Sequence, residues 1–150
     1  MPEIHIRDAL SGDYPRIVEL NAAAVRHTST MDIARLAELD AFSCWHKTVA
    51  VDGRVAGFLL AMRESAPYRN DNFAFFAARF ETFIYIDRIV IAPDSAGLKL
   101  GSMLYADLFG YARQNAVPAV ACEYNIEPPN EPSRRFHEKF GFTEIGRQWL

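Results

Sequence analysis

The most constraining stretch of the chain is FIYIDRIVI, from Phe83 to Ile91, followed at once by Pro93 and the turn DSAGLKLGS. A run this apolar and β-branched belongs to a strand covered on both faces, so it must lie inside a sheet. Pro93 ends it, and Leu104, Leu108 and Tyr111 then recur at helical spacings of four and three. A strand that passes through a glycine-containing turn into a helix offers unpaired N–H groups and the positive end of the helix dipole to an anion. Gly97 and Gly101 let the backbone come close to such a ligand. The turn is no P-loop, since no Gly-Lys-Ser/Thr closes it, and it lacks the three-glycine dinucleotide fingerprint.

Other elements can be read around this unit. IHIRDA near the start alternates like a strand. Asp13 and Pro15 precede a helical stretch with Ile17, Leu20 and Ala24 on one side, and a shorter helix is expected from Asp32 to about Leu39. Lys47 to Val51 and Arg54 to Met62 flank Asp52-Gly53, a hairpin signal. Segment 64–80, polar and then heavily aromatic, reads as a long loop with a helical turn, either a flap packed on the core or the wall of a binding site. Val117 to Tyr124 is a further strand, Glu131 to Phe140 a helix closed by Gly141, and Phe142 to Trp149 a last strand. The sum is a mixed α/β (α+β) fold.

At 150 residues without a linker or repeat, the chain fits a single domain, 1–150, whose core needs neither disulfide nor metal. Sixteen basic against nineteen acidic residues leave a charge of -3, which disfavours nucleic acid, charged tRNA included, as a partner. The longest apolar run, Val55 to Met62, is too short to span a bilayer, so no membrane partner is expected. The opening MPEIHIRDAL carries charges where a signal peptide needs an apolar core, so the expected location is cytoplasmic. Cys44 and Cys122 lack CxxC spacing and only four histidines accompany them, which argues against a zinc site; two free thiols are expected.

In this order of elements the turn resembles the acetyl-CoA signature of the GNAT N-acetyltransferase superfamily, Arg/Gln-x-x-Gly-x-Gly/Ala after a strand ending Val-x-Pro. Ile91-Ala92-Pro93 stands for the strand end, and Ala96, Gly97, Leu98, Lys99, Leu100 and Gly101 for the signature, with Ser102 next. Downstream, Asn130, Ser133, His137 and Gly141-Phe142 match a second family pattern, with Phe136 on the same helix face. The resemblance covers essentially the whole chain and implies a mostly antiparallel central sheet flanked by helices. It also implies acetyl-CoA as cofactor, bound at these two motifs and at the backbone N–H groups of Ile89, Val90 and Ile91. Three positions depart from the pattern: Ala96 replaces Arg or Gln, Lys99 replaces the central glycine, and His137 replaces the usual tyrosine.

The implied reaction is acetyl transfer to a primary amine of a small molecule or protein. An ammonium with a pKa near 10 must lose a proton, and the departing thiolate must gain one. Glu123, a carboxylate in an otherwise apolar strand, is the favoured base, and Asp87 competes with it while sharing a strand face with Tyr85, Ile89 and Ile91. His137 is the expected acid, with Tyr105 and Tyr124 as alternatives. The aromatic segment from Phe73 to Phe80, with Tyr68, Phe76, Arg79 and Tyr85, is expected to meet an amphipathic or aromatic acceptor. The alternative function is a catalytically weak module that binds CoA as a sensor. Family members often pair, so a homodimer is a further expectation.

Overall fold

The computed structural model describes residues 2–24, 30–122 and 142. Its elements are β1 (Ile4–Asp8), α1 (Tyr14–Ala23), α2 (Ile33–Phe42), β2 (Trp45–Val51), β3 (Arg54–Arg63), α3 (Asp71–Ala77), β4 (Ile84–Ile91), α4 (Leu100–Gln114) and β5 (Val120–Ala121). Local chemistry accounts for several boundaries. Pro15 sits in the first turn of α1. The Asp32 carboxylate accepts the Arg35 N–H at 2.7 Å and caps α2. Asp52 and Gly53 both have positive φ, 50° and 85°, which matches the twist of the β2–β3 hairpin.

Segment 64–80 is more ordered than a loop with a single turn. Asn70 caps α3 by accepting the Phe73 N–H at 3.0 Å, and Phe73 and Phe76 bury themselves in the core. The helix and strand expected over 131–140 and 142–149 lie outside the described residues, Phe142 apart. Among the described residues, no helix is long and apolar enough to cross a membrane.

The sheet order is β1-β2-β3-β4-β5, antiparallel throughout except for the parallel pair β4–β5. The fold is therefore a mixed α/β one with a mostly antiparallel sheet. Arg88 on β4 reaches Asn21 on α1, and Tyr85 on the same sheet face touches Phe73 and Phe76 of α3. That face therefore carries α1 and α3, and α2 packs beside α1. α4 crosses β2, β3 and β4 on the other face, burying Leu100, Leu104, Tyr105, Leu108 and Ala112.

β4 holds an extra residue. Leu60 pairs with Arg88 and the next residue, Ala61, pairs with Ile86, so Asp87 is bulged out of the β3–β4 ladder. The bulge corrects one sequence expectation. Strict alternation would put Asp87 on the face of Ile89 and Ile91. In the structure Ile86, Ile89 and Ile91 line one face, while Asp87 lies with Tyr85 and Arg88 on the other. One inserted residue reverses the parity of all that follows.

Candidate active site

Two features converge at the C-terminal end of β4. The first is a strand edge. The Ile84 N–H donates to the Ala119 carbonyl at 2.9 Å, toward β5, and the Ala92 N–H donates to the Ala56 carbonyl at 2.7 Å, toward β3. Period two from Ala92 aims the Val90 and Arg88 amides at β3 and the Ile89 and Ile91 amides the opposite way. Among the described residues, β5 pairs with β4 only at Ile84 and Tyr85. Past the bulge, the amides of Ile89 and Ile91 thus face a side with no described strand partner.

The second feature is the turn. Residues Pro93–Leu98 form a 3₁₀ segment, and Lys99 then adopts φ 59° and ψ 33°, the left-handed region, before α4 begins. Among the described residues no side chain caps α4, and the first bond from its N-terminus is Met103 N–H to the Lys99 carbonyl at 3.2 Å. The amides of Leu100, Gly101 and Ser102 therefore carry the positive end of a fifteen-residue helix. Ala96, Gly97 and Lys99 are exposed, and a Cβ on Gly97 would meet nothing within 4 Å. The amides, the dipole and a lysine fit a diphosphate.

The strand end is held in place by a close approach. A Cβ on Gly57 of β3 would lie 2.6 Å from Ile91 Cδ1 and 2.9 Å from the Val90 carbonyl oxygen. Only glycine lets β3 and β4 come this near.

The bulge is tied down by a buried polar chain. Asp87 Oδ1 accepts from the Tyr68 hydroxyl at 2.6 Å, and Oδ2 from Arg88 Nε at 2.9 Å. Arg88 Nη1 donates to Asn21 Oδ1 at 3.1 Å, and Asn70 Nδ2 donates to the Tyr68 oxygen at 3.3 Å. The side chains of Arg88 and Asp87 are only 6% and 3% exposed. Burial, with the Asp87 charge beside it, pushes the Tyr68 phenol far above its usual pKa, so it stays a proton donor.

The expected acceptor residues are distributed unevenly. Phe76 and Tyr85 pack into the core, and Tyr68 is buried with its hydroxyl on Asp87. Arg79 is exposed, donates to the Phe75 carbonyl and lies over the Phe75 ring at 3.5 Å. None of these four lines the groove of about 570 Å³ between α4 and the start of β2, where His46, Lys47 and Tyr111 lie. Glu123, Tyr124, Asn130, Ser133, Phe136 and His137 lie outside the described residues. Tyr105, an alternative acid, is fully buried beside Phe109 and Phe142. Cys44 and Cys122 form no disulfide with each other.

The residue types alone do not show the bulge, which only the family resemblance implies for this strand; their one signal was a charged pair, Asp87-Arg88, inside an otherwise apolar strand. Among the described residues, no group of His, Cys, Asp and Glu could hold a metal.

Comparison with known proteins agrees with this fold. The profile of the acetyltransferase (GNAT) family matches residues 5–142. The phosphinothricin N-acetyltransferase of Streptomyces coelicolor is 37% identical over 89 residues, which cover 59% of this chain and 46% of that protein. The match thus spans less than half the length of this curated relative. Among solved structures, a Trypanosoma brucei acetyltransferase superposes with a TM-score of 0.72 at 21% identity, covering 99% of this chain and 98% of that one. The aminoglycoside N-acetyltransferase AAC(6')-Iy in complex with CoA superposes with a TM-score of 0.75 at 16% identity, over 100% and 94% of the two chains. Ard1 of Thermoplasma volcanium reaches 0.77 at 18% identity, over 95% and 84%. At these identities the structural likeness speaks for the fold.

Proposed function

The chain belongs to the GNAT acetyltransferase family, and we propose that it transfers the acetyl group of acetyl-CoA to a primary amine of a small molecule or protein by direct attack. The observation that carries this reading is the junction of β4 and α4. There, among the described residues, a strand edge past a bulge and a helix N-terminus without a side-chain cap open at the same end of the molecule.

Acetyl-CoA supplies an activated acyl group and a thiolate leaving group. In our reading the diphosphate is held by the amides of Leu100, Gly101 and Ser102, with Gly97 leaving room and Lys99 supplying the charge that Ala96 lacks. The side chain of Leu98 and the second motif, Asn130, Ser133 and Phe136, complete the cofactor contacts. Of the three β4 amides, those of Ile89 and Ile91 face away from β3 and are the donors we assign to the thioester carbonyl, where negative charge develops. Val90, directed at β3, supports the strand.

For the proton movements we assign Glu123 as base and His137 as acid, on their places in the sequence pattern. Asp87 serves less well as a base, because both its oxygens are engaged and its side chain is buried. The acceptor is placed on the face that carries Tyr68, Phe76, Arg79 and Tyr85, of which Arg79 is the exposed member. The phosphinothricin enzyme's name suggests a small amine as acceptor. Two copies of the chain in a dimer are also part of this reading.

A thermal melt with and without acetyl-CoA, followed by release of free CoA in the presence of candidate amines, tests the proposal. Acetyl-CoA at 100 times its dissociation constant should add about 2.7 kcal/mol, a rise of about 5–10 °C at this size. CoA release with an amine then establishes turnover. The departures at Ala96 and Lys99 favour a second reading, a CoA-binding sensor, which a melting shift without any turnover would support. No shift at millimolar acetyl-CoA would overturn both. Rates of the wild type and of His137→Phe that coincide from pH 6 to 9 would remove His137 from its role.

A further inference from the structure

We propose that Tyr68 and Asp87 are positioning residues: through the chain Tyr68–Asp87–Arg88–Asn21 they set the bulge of β4, and so aim the Ile89 and Ile91 amides at the thioester carbonyl. The proposal rests on the acetyl-CoA reading above and assigns the polar chain a duty within it.

The geometry has three parts. First, the chain is closed at every described link. The Tyr68 hydroxyl accepts from Asn70 and donates to Asp87, Asp87 accepts from Arg88, and Arg88 donates to Asn21. A carboxylate with one donor on each oxygen has no freedom to rotate. Second, the chain spans elements that the fold holds rigidly. Asn21 is fully buried on α1, Asn70 is the cap of α3, and Asp87 and Arg88 are the two β4 residues set against Leu60. α1 and α3 thus grip the same two residues of the strand from one face.

Third, the grip falls where direction matters most. Asp87 is the inserted residue, and Ile89 is two positions beyond it. A bulge bends its strand and increases its twist, so a small rotation at Asp87 becomes a displacement at Ile89 and Ile91. The diphosphate contacts lie on a separate element, α4, and do not pass through the bulge. Loosening the chain should therefore weaken the grip on the carbonyl and spare the grip on the CoA body. The phenol proton of Tyr68 is held firmly by its surroundings, so the donor is present throughout the working pH range.

The test needs no acceptor amine. CoA and acetyl-CoA are titrated separately into ¹⁵N-labelled wild type, Tyr68→Phe and Asp87→Asn, with affinities and amide shifts read together. In the wild type the Ile89 and Ile91 amides should respond to the acetyl group, and acetyl-CoA should bind more tightly than CoA by about threefold to tenfold, the worth of one or two hydrogen bonds. Tyr68→Phe should bind CoA within about twofold of wild type while losing most of that preference and of the shift difference at Ile89 and Ile91. Tyr68→Phe is the informative variant, because Asp87→Asn leaves Arg88 buried without its charge partner and is liable to unfold. A variant that keeps the preference and the shifts overturns the proposal. One that loses CoA and acetyl-CoA affinity equally overturns it too, since the tyrosine would then only support the fold. A wild type that binds neither ligand refutes the acetyl-CoA reading itself, a separate result.

Discussion

Lys99 stands in a conformation that a side chain resists. At φ 59° its Cβ crowds the following carbonyl, a strain of about 1–2 kcal/mol that glycine avoids. Its charge also lies at the positive end of α4, where a cation is unfavourable. Both effects weaken the free protein, and both would be offset by a bound diphosphate. Lys99→Gly is therefore expected to raise the melting temperature without ligand by about 2–3 °C, since glycine's greater freedom in the unfolded chain cancels part of the gain. The same variant should bind acetyl-CoA more weakly, so its melting shift with ligand should be smaller than the wild type's. Lower stability of the free variant would show that the lysine is not strained. The sequence revealed that Lys99 occupies the place of a glycine, but not that the backbone keeps a glycine's conformation there. That fact belongs to the turn's closure against β4 and cannot be read from residue types.

Among the elements, β1 to β4 with their hairpin and α4 were legible because their apolar periods run for several residues, whereas the strand expected over 117–124 is described only as β5, Val120–Ala121. Asp52-Gly53 in particular has the positive φ values its composition implies. α3 was harder, since a seven-residue helix has too few turns to establish a period, and its aromatic residues suit a strand as well. The bulge was legible only through the family resemblance, not from residue types. An inserted residue leaves no mark on composition, and it moved Ile89 and Ile91 away from the face that alternation gives them. Gly57 shows the same kind of hidden constraint, since its place in β3 is explained by what the neighbouring strands do, β4 above all and Val49 of β2. Gly57→Ala would press a methyl group on Ile91 and on the Val90 carbonyl, so a loss of about 1–3 kcal/mol is expected. Denaturant unfolding measures it, and an unchanged midpoint would mean the two strands can part without penalty. If the strands do part, the acetyl-CoA melting shift should fall even though the midpoint does not.

Over the whole molecule, the packing of helices on both faces of the sheet buries titratable groups that respond to pH in separate windows. The His46 ring is buried near Phe58, its Nδ1 lies 2.7 Å from Asp40, and its Nε2 has no hydrogen-bond partner among the described residues. Burial pushes its pKa below the usual 6.5, outweighing the neighbouring carboxylate. As pH falls below 6.5 the unfolded chain takes up this proton first, so stability should decline there and be flat above. Asp13 differs: its hydrogen bonds to Arg7, at 2.7 and 2.9 Å, hold the carboxyl below its usual range, so its contribution survives until much more acidic pH. In melting curves from pH 8 to 2, His46→Gln should remove the decline just below pH 6.5 and keep the acid one. A decline that persists in the variant would place its origin in another group. This coupling was not legible, because His46 lies in a strand whose sequence shows no sign of Asp40's proximity. The half of the candidate site on β4 and the turn was legible by type, through its glycines and apolar strand, and the acid–base half only by motif. The buried chain through Asp87 and Arg88 also has a consequence for descent. A lineage that replaces either charge first breaks a buried ion pair, an intermediate weakened by several kcal/mol. Neutral drift should seldom cross that valley, so related chains are expected to inherit the acid–base pair intact or to have exchanged both partners together.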